Sequence, residues 1–598
     1  LPLRWRPAAP DSSTIESKPK ACGLDNAAIA RILRETADLL EIKGENPFKI
    51  RAYRNGADIT GNHPHELSQL DEAGLREIPG IGKDLAARIV EIGQTGDTAF
   101  HRELIAEFPP TILDLLHLQG VGPKTVATLY RDLGVRTLDD LERAAHDGRI
   151  RALKGMGAKK EALILKALDE RKRFAGRHLL SHAHDASAAL QEYLRERAPG
   201  ATIEAVGSLR RGCDTCGDLD LLATGAPASL MDDFVDYPLV ERVLGHGDTK
   251  SSVLVQGGFQ ADLRLVSPES RGAAMQYFTG SKAHNIALRD RAIGLGFKLN
   301  EYGLFRIIDE GRVAGEREEE IYAALGLAFV PPELREMRGE IEAAAAGALP
   351  RLIELGDLRG DLHMHTTETD GKDDIRTMAI AAREAGLGYI AITDHSQSLA
   401  MANGLDERRA IAHAERIRAV DAEGLGIRLL AGVECDIMPD GSMDLADDCL
   451  AALDIVVASV HSGFNQERQE MTDRILRAIE NPHVDILGHP TGRKLLKRQA
   501  YPIDVEAVID AVGRAGAAIE INSQPHRLDL NDVHAALARE RRVPIVISSD
   551  SHSRNGFGFL RWGAAVARRA WLQPADVLNT RSFDEFRASL RRHRRRPS

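Results

Sequence analysis

The 598-residue sequence has no apolar run approaching the roughly 18 residues of a membrane span, so no membrane-crossing helix is expected. Its first 22 residues have no apolar core of the kind that marks a secretion signal, and residues 1–23 read as a disordered leader. Cysteine is scarce: five residues, an odd number and scattered, cannot form a closed disulfide framework, which suits a reduced, cytoplasmic protein. Cys213 and Cys216 make a C-x-x-C, but no second pair completes a zinc site around them. Excess positive charge is also missing. The net charge is −11, so the chain is not a uniformly basic nucleic-acid binder, and any contact with DNA must be local. What remains is an ordinary globular composition, 43% hydrophobic and 28% charged, with length for about three to five domains.

The most informative stretch is 207–222, GSLRRGCDTCGDLDLL. Asp218 and Asp220 alternate with apolar residues as in a strand, where residues i and i+2 share a face. Two carboxylates about 7 Å apart on one face repel each other unless a cation lies between them. Mg²⁺ or Mn²⁺ held by one or two carboxylates and substrate phosphates would supply that cation. Residues 252–266 read as two strands around a Gly-Gly turn, with Asp262 among apolar neighbours where a lone carboxylate is costly to bury. Three convergent acids suit two-metal phosphoryl or nucleotidyl transfer. A D-x-D alone is equally compatible with a solvated strand.

Upstream, residues 26–40 have the apolar spacing of a helix. In FKIRAYRNGA, Lys49 and Tyr53 lie four apart on one helix face, which suits a phosphate at a DNA end or simply a solvated surface. Three Gly-x-Gly turns follow, at Gly80 and Gly82, Gly120 and Gly122, and Gly155 and Gly157, each leading into an amphipathic segment. One such turn could be a tight helix connection. Three predict helix-hairpin-helix units whose backbone amides approach phosphate without reading sequence.

From 360 onward apolar runs alternate with helical stretches, the pattern of a parallel α/β barrel. Seven strand-like runs occur at 360–365, 388–394, 428–434, 453–460, 484–488, 517–522 and 543–549. Metal-ligand types cluster at or just after their C-terminal ends: His363, His365, Asp370, His395, Glu434, His461, His489, Asp550 and His552. Barrel enzymes keep their chemistry there. Nine ligands suit two or three ions, and their imidazoles favour Mn²⁺, Zn²⁺ or Fe²⁺, with Glu434 as a bridge.

GSLRRGCDTCGDLDLL, followed by QYFTGSKAHNIALRDRAIGLGFKLNEYGLF at 276–305, resembles the family X DNA polymerases. The ligand set beyond 360 resembles the PHP phosphoesterase domain that bacterial members carry at their C-terminus. The likeness spans roughly residues 24 to 580. It implies a multidomain chain: helical helix-hairpin-helix domains at 24–99 and 100–177, an α+β nucleotidyltransferase palm at 178–267 and a nucleotide-selection subdomain at 268–332. A helical linker at 333–358, a PHP barrel of about seven strands at 359–580 and a basic tail at 581–598 complete the layout. The resemblance also implies that Ser208 and Arg211, helped by Gly217, hold the phosphates of a deoxynucleoside triphosphate. Tyr277, Phe278 and Gly280 would then face the sugar, and Asn285 and Arg289 the minor-groove side of the new pair. Arg264 and the 301–302 pair would form a closing switch, or plain surface contacts. Lys282 departs from the aspartate of the family's type member. Lys49, Tyr53 and Arg76 match positions that grip the 5′-phosphate side of gapped DNA. The family's lyase lysine is replaced by Arg88, which cannot form a Schiff base at ordinary pH, although Lys83 lies nearby. The implied function is gap-filling DNA repair synthesis at the nucleoid, with metal-dependent hydrolysis of 3′ DNA ends. Two other functions compete, a small-molecule phosphatase with a dead nucleotidyltransferase and a non-catalytic DNA-end scaffold.

Overall fold

The computed structural model describes residues 26–62, 67–109, 111–116, 118, 121–174 and 176–591. The leader, Gly120 and the tail beyond 591 lie outside the described residues. The chain forms two compact units, Leu1–Arg173 and Phe174–Ser598. No described helix is long and apolar enough to cross a membrane.

The described part of the first unit is all helical. α1 (Asn26–Lys43) buries Ile29, Ile32, Leu33, Ala37 and Leu40, the one-sided stripe that its spacing predicts, and packs on α2 (Pro47–Asn62). α3 (Lys83–Thr95), α4 (Pro123–Leu133) and α5 (Gly157–Phe174) each begin at or just after the second glycine of a turn. Gly80, Gly155 and Gly157 take positive φ of 91°, 82° and 46°, a region that disfavours residues with a Cβ.

In the second unit the palm is a five-stranded sheet. Its strands are β1 (Thr202–Ala205), β2 (Asp218–Thr224), β3 (Val240–Gly245), β4 (Lys250–Val255) and β5 (Phe259–Val266), in the order β1-β2-β5-β4-β3. Only β2 and β5 run parallel, and their register sets Asp220 opposite Asp262. α6 (Arg271–Thr279) and α7 (Lys282–Gly294) follow, with a three-stranded antiparallel sheet over 297–314.

Segment 333–358 differs from the expected linker. It forms a short helix, Glu340–Ala345, between 3-10 turns, and Ile341, Ala344 and Leu352 join the apolar core of the subdomain before it. Glu340 is buried against His284 Nδ1 at 2.6 Å. Of the alanine run only Ala344 is buried, with Ala345 and Ala346 exposed, but Ile341, Ala344 and Leu352 together anchor the segment, so it does not behave as a tether.

The C-terminal sheet has seven parallel strands in sequential order: β6 (Gly360–Asp361), β7 (Tyr389–Ile392), β8 (Arg428–Asp436), β9 (Ile455–Ser459), β10 (Ile486–Leu487), β11 (Ala518–Asn522) and β12 (Ile545–Ser548). First and last strands meet through a bridge between Met364 and Ser551, so the barrel is nearly closed. Alternate residues of the strands, including Tyr389, Ala391, Leu430, Ile455, Val457 and Val546, form one apolar cluster with Phe586 of the helix Phe583–Ser589 and with Leu590 just after it. Continuing the same alternation along β8, β11 and β12 reaches Glu434, Glu520 and Asp550. α8 (Leu560–Arg569) packs on β11 and β12.

Candidate active sites

The palm brings its three carboxylates together on adjacent strands. Asp218 is exposed, Asp220 half-buried and Asp262 buried. Burial first, then the charges of Asp218 and Asp262, push Asp220 up to about 6. Burial opposes the Asp262 carboxylate too, but hydrogen bonds from Lys250 and Gln260 outweigh it and hold this acid below its ordinary value. Lys250 Nζ lies 3.0 Å from Asp262 Oδ2. A clustered acid set with one raised member fits a divalent cation. Gly207 closes the site from the side: its φ is +67°, and a Cβ there would lie 2.5 Å from Asp220 Oδ2.

A one-turn helix, Gly207–Arg210, carries Ser208 and leads into Arg211 in the loop that follows, and both side chains are half-buried. Arg211 donates Nε to Glu336 Oε1 at 2.8 Å and Nη1 to the Thr279 carbonyl at 2.8 Å. Arg210 makes a bidentate pair with Glu318, which the fully buried Arg335 also binds. Gly217 directly precedes Asp218 on the same approach. Tyr277 and Phe278 end α6, and Arg264 stacks on Phe278 at 4.4 Å. Gly280 is crowded by Asn285, whose amide donates to the Tyr277 carbonyl at 2.6 Å. Arg289 and Lys282 are exposed on α7, and Tyr302 is exposed as well.

In the helical unit, no described neighbour lies within 4 Å of a Cβ built at Gly82, Gly122, Gly155 or Gly157, so among the described residues these helix N-termini stand open. Arg76 and Lys83 are exposed. The expected Lys49–Tyr53 face does not form. Tyr53 is 3% exposed, donates its hydroxyl to Asp84 at 3.2 Å, and is pushed up to about 12 by burial. Lys49 lies 4.4 Å over the Phe100 ring. An aromatic ring on a small helical unit is worth more in the core than on the surface. Arg88 is paired with Glu91 at 3.0 Å.

The barrel gathers all nine candidate ligands at its strand ends. Three groups could each hold an ion: His365, Asp370, His395 and His552; His363, His365 and Asp550; His395, Glu434 and His461. Glu434 is the hub, with its carboxylate 2.9 Å from His489 Nε2, 2.9 Å from His395 Nδ1, and 3.3 Å from both His363 and His461. Burial, with neighbouring His395 and His552, pushes His365 down to about 4, the neutral form a metal ligand needs. Burial likewise pushes His489 down to about 3. Among the described residues, Nε2 of His363, both ring nitrogens of His365, and Nδ1 of His395 and of His489 make no aligned hydrogen bond, although carboxylate oxygens lie close to several of them. Orphaned imidazole nitrogens around a carboxylate hub fit resident metal ions.

Several functional side chains were not legible beforehand. His363 Nδ1 is held by Glu520 at 2.8 Å and His461 Nδ1 by Asp436 at 2.8 Å, which turns each Nε2 toward Glu434. A glutamate inside the apolar run 517–522 was the available signal for Glu520. A cavity of about 590 Å³ opens over the ligands, and Lys494, Arg498 and Arg527 line it. Arg498 stacks on Phe464 at 4.0 Å. Burial and the neighbouring Arg527 and Arg498 lower Lys494, so the wall is a crowded cation set suited to a phosphate.

Comparison with known proteins adds an independent line. Residues 24–98 match the Helix-hairpin-helix domain and 112–170 the SAM-like Helix-hairpin-helix tandem. Residues 274–336 match the DNA polymerase beta thumb and 361–524 the PHP domain. The "DNA polymerase/3'-5' exonuclease PolX" of Bacillus subtilis is 38% identical over 569 residues, 94% of this chain and 99% of that protein. A probable phosphatase of Caldanaerobacter subterraneus is 32% identical over 249 residues, 40% of this chain and 92% of that protein. One of Thermoanaerobacter is 32% identical over 37% of this chain and 89% of its own length. With the palm's acids, the thumb, the helix-hairpin-helix units and the barrel's ligand set in one chain, and with a relative matched nearly end to end, this protein belongs to the family X DNA polymerases that carry a PHP domain.

Proposed function

We propose that this enzyme fills short gaps in DNA during repair, at the nucleoid, and trims 3′ ends by phosphodiester hydrolysis. The observation that carries the first activity is the parallel register of β2 and β5, which sets Asp220 opposite Asp262 with Asp218 two residues away. These carboxylates would hold Mg²⁺ or Mn²⁺, which supplies charge for the attacking 3′ oxygen and the leaving pyrophosphate. Ser208, Arg211 and the backbone at Gly217 bind the triphosphate of a deoxynucleotide. Tyr277, Phe278 and Gly280 flank its sugar, while Asn285, Arg264 and Arg289 meet the primer-template side. The open helix N-termini, with Arg76 and Lys83, take backbone phosphates, including the 5′-phosphate of a gap.

In the barrel, His363, His365, Asp370, His395, Glu434, His461, His489, Asp550 and His552 would hold two or three Mn²⁺, Zn²⁺ or Fe²⁺, which supply Lewis-acid activation of water and phosphate. Glu520 and Asp436 orient two of the imidazoles. Lys494, Arg498 and Arg527 bind the non-bridging oxygens of the scissile phosphate and align it over the ligands. The phosphatase relatives of the barrel alone favour a second reading for this site, phosphomonoester hydrolysis.

A 5′-labelled primer on gapped DNA in Mn²⁺ tests both. The expected result is extension with deoxynucleotides and shortening without them. A mobility shift with neither change supports a scaffold. Hydrolysis of p-nitrophenyl phosphate with no shortening of the primer assigns the barrel to phosphomonoesters.

A further inference from the structure

The loop that carries Arg211 is held from the barrel. Arg569, at the end of α8, donates Nη1 to Glu336 Oε1 at 2.8 Å and to the backbone carbonyl of Arg211 at 3.0 Å. Its other edge binds Asp532, with Nη2 at 2.9 Å and Nε at 3.1 Å, and Asp532 is shared with Arg338 at 2.9 Å. The Arg569 side chain is only 9% exposed. Beside it, a Cβ at Gly212 would lie 3.4 Å from Ala565 of the same helix, so the loop rests directly on α8.

Glu336 is the centre of this arrangement. Its Oε1 accepts from both Arg211 Nε and Arg569 Nη1, each at 2.8 Å. Burial works against this carboxylate, but Arg569 and then Arg211 outweigh it and keep it ionised. Two cations therefore share one anion. Arg211 spends Nε on Glu336 and Nη1 on the Thr279 carbonyl, and Nη2 has no hydrogen bond to a described residue. With Arg569 removed, Glu336 would pair with Arg211 one to one, neutralising it and competing with an incoming triphosphate.

We propose that Arg569, a residue of the PHP domain, is a positioning residue for nucleotide addition: it draws on Glu336 and braces the Arg211 backbone, so that Arg211 presents Nη2 and a net positive charge to the triphosphate. This rests on the reading of Arg211 as a triphosphate ligand. Arginine suits the place because its fork reaches Glu336, the Arg211 carbonyl and Asp532 together, which a single ammonium cannot.

The test is single-nucleotide gap filling by the full-length enzyme at varied deoxynucleotide concentration, with 3′-end hydrolysis and thermal melting measured in parallel. Arg569→Ala should raise KM for the nucleotide about 10- to 100-fold, the scale for losing a charged hydrogen bond, with kcat within about 3-fold. Arg569→Lys, which keeps the charge and guards against misfolding of the alanine variant, should raise it by a smaller factor. Adding Glu336→Gln to Arg569→Ala should bring KM back toward wild type, because the competing charge is gone. A structural role alone does not produce that rescue. Wild-type KM in folded Arg569→Ala and Arg569→Lys overturns the inference. So does an equal fall of both activities, or a fall in kcat at constant KM. Absence of any nucleotide addition by the wild-type enzyme would instead overturn the polymerase reading on which it rests.

Discussion

The two acid-rich centres of this chain solve opposite problems. In the palm, three carboxylates lie on adjacent strands with Asp218 open to solvent, and Lys250 pairs with Asp262 at 3.0 Å. In the barrel, His363 and His365 are fully buried around Glu434, and several ring nitrogens make no aligned hydrogen bond to a described residue. Because Asp218 opens the palm's acid cluster to solvent, water can serve it until a nucleotide arrives with its ion. Buried imidazoles have no such fallback, because an unpaired buried polar atom costs about 1–3 kcal/mol. The palm is thus a site completed by its substrate, and the barrel a site completed by resident metal.

The sharpest way to break this comparison is to delete each ligand set in turn. His363→Ala with His365→Ala should remove 3′-end hydrolysis by more than ~10²-fold, beyond the effect of losing an outer partner, and leave nucleotide addition within a few-fold. Asp218→Ala with Asp220→Ala should do the reverse, with a loss of at least ~10²-fold in addition, about 2.7 kcal/mol. Primer assays with melting curves of each variant decide it. A folded histidine variant that loses both activities would show that the centres are not separable.

A milder change sharpens the contrast. Glu520→Gln weakens the acceptor that orients His363 and should lower metal affinity of the barrel by ~10- to 100-fold. Calorimetric Mn²⁺ titration reads this directly. Unchanged affinity would mean that Glu520 merely fills the barrel.

The smallest effect concerns charge in the metal-free palm. Asp220 is pushed from its ordinary 3.8 up to about 6, so its ionised form is disfavoured in the folded protein above pH 6. The strain eases as pH falls through about 6, where the folded state takes up the proton ahead of the unfolded chain. Under chelation, Asp220→Asn should therefore stabilise the fold at pH 7.5 by about 1–2 kcal/mol, discounted for partial exposure. The gain should shrink toward pH 4. Equal melting shifts at both pH values would remove the charge-strain account.

Much of this was visible in local sequence. Seven apolar runs beyond 360 each coincide with one strand, the third strand running two residues past its run to Asp436, and metal-ligand residue types stand at or near the strand ends, because period-2 alternation and the strand terminus are local properties. The 252–266 hairpin and the helix after each Gly-x-Gly turn follow from similar short-range rules. Other features were hidden. Tyr53 has helical spacing suited to either face and was read outward, whereas Phe100 and the core of the unit draw it in. Segment 333–358 has the composition of a tether, yet a neighbouring subdomain offers Ile341, Ala344 and Leu352 an apolar surface.

Local residue patterns fix the chemistry on offer: paired aspartates at strand spacing, imidazoles at strand ends, and glycines where a helix N-terminus must stay open. Those assignments depend on residues within a few positions of one another, and backbone geometry carries them. The tertiary structure alone decided the partnerships. Asp220 opposes Asp262, Glu520 orients His363 across 157 residues, and Arg569 shares Glu336 with Arg211 across 233 residues. Such pairs depend on which faces the packed sheets and helices bring together, and no local period encodes that choice.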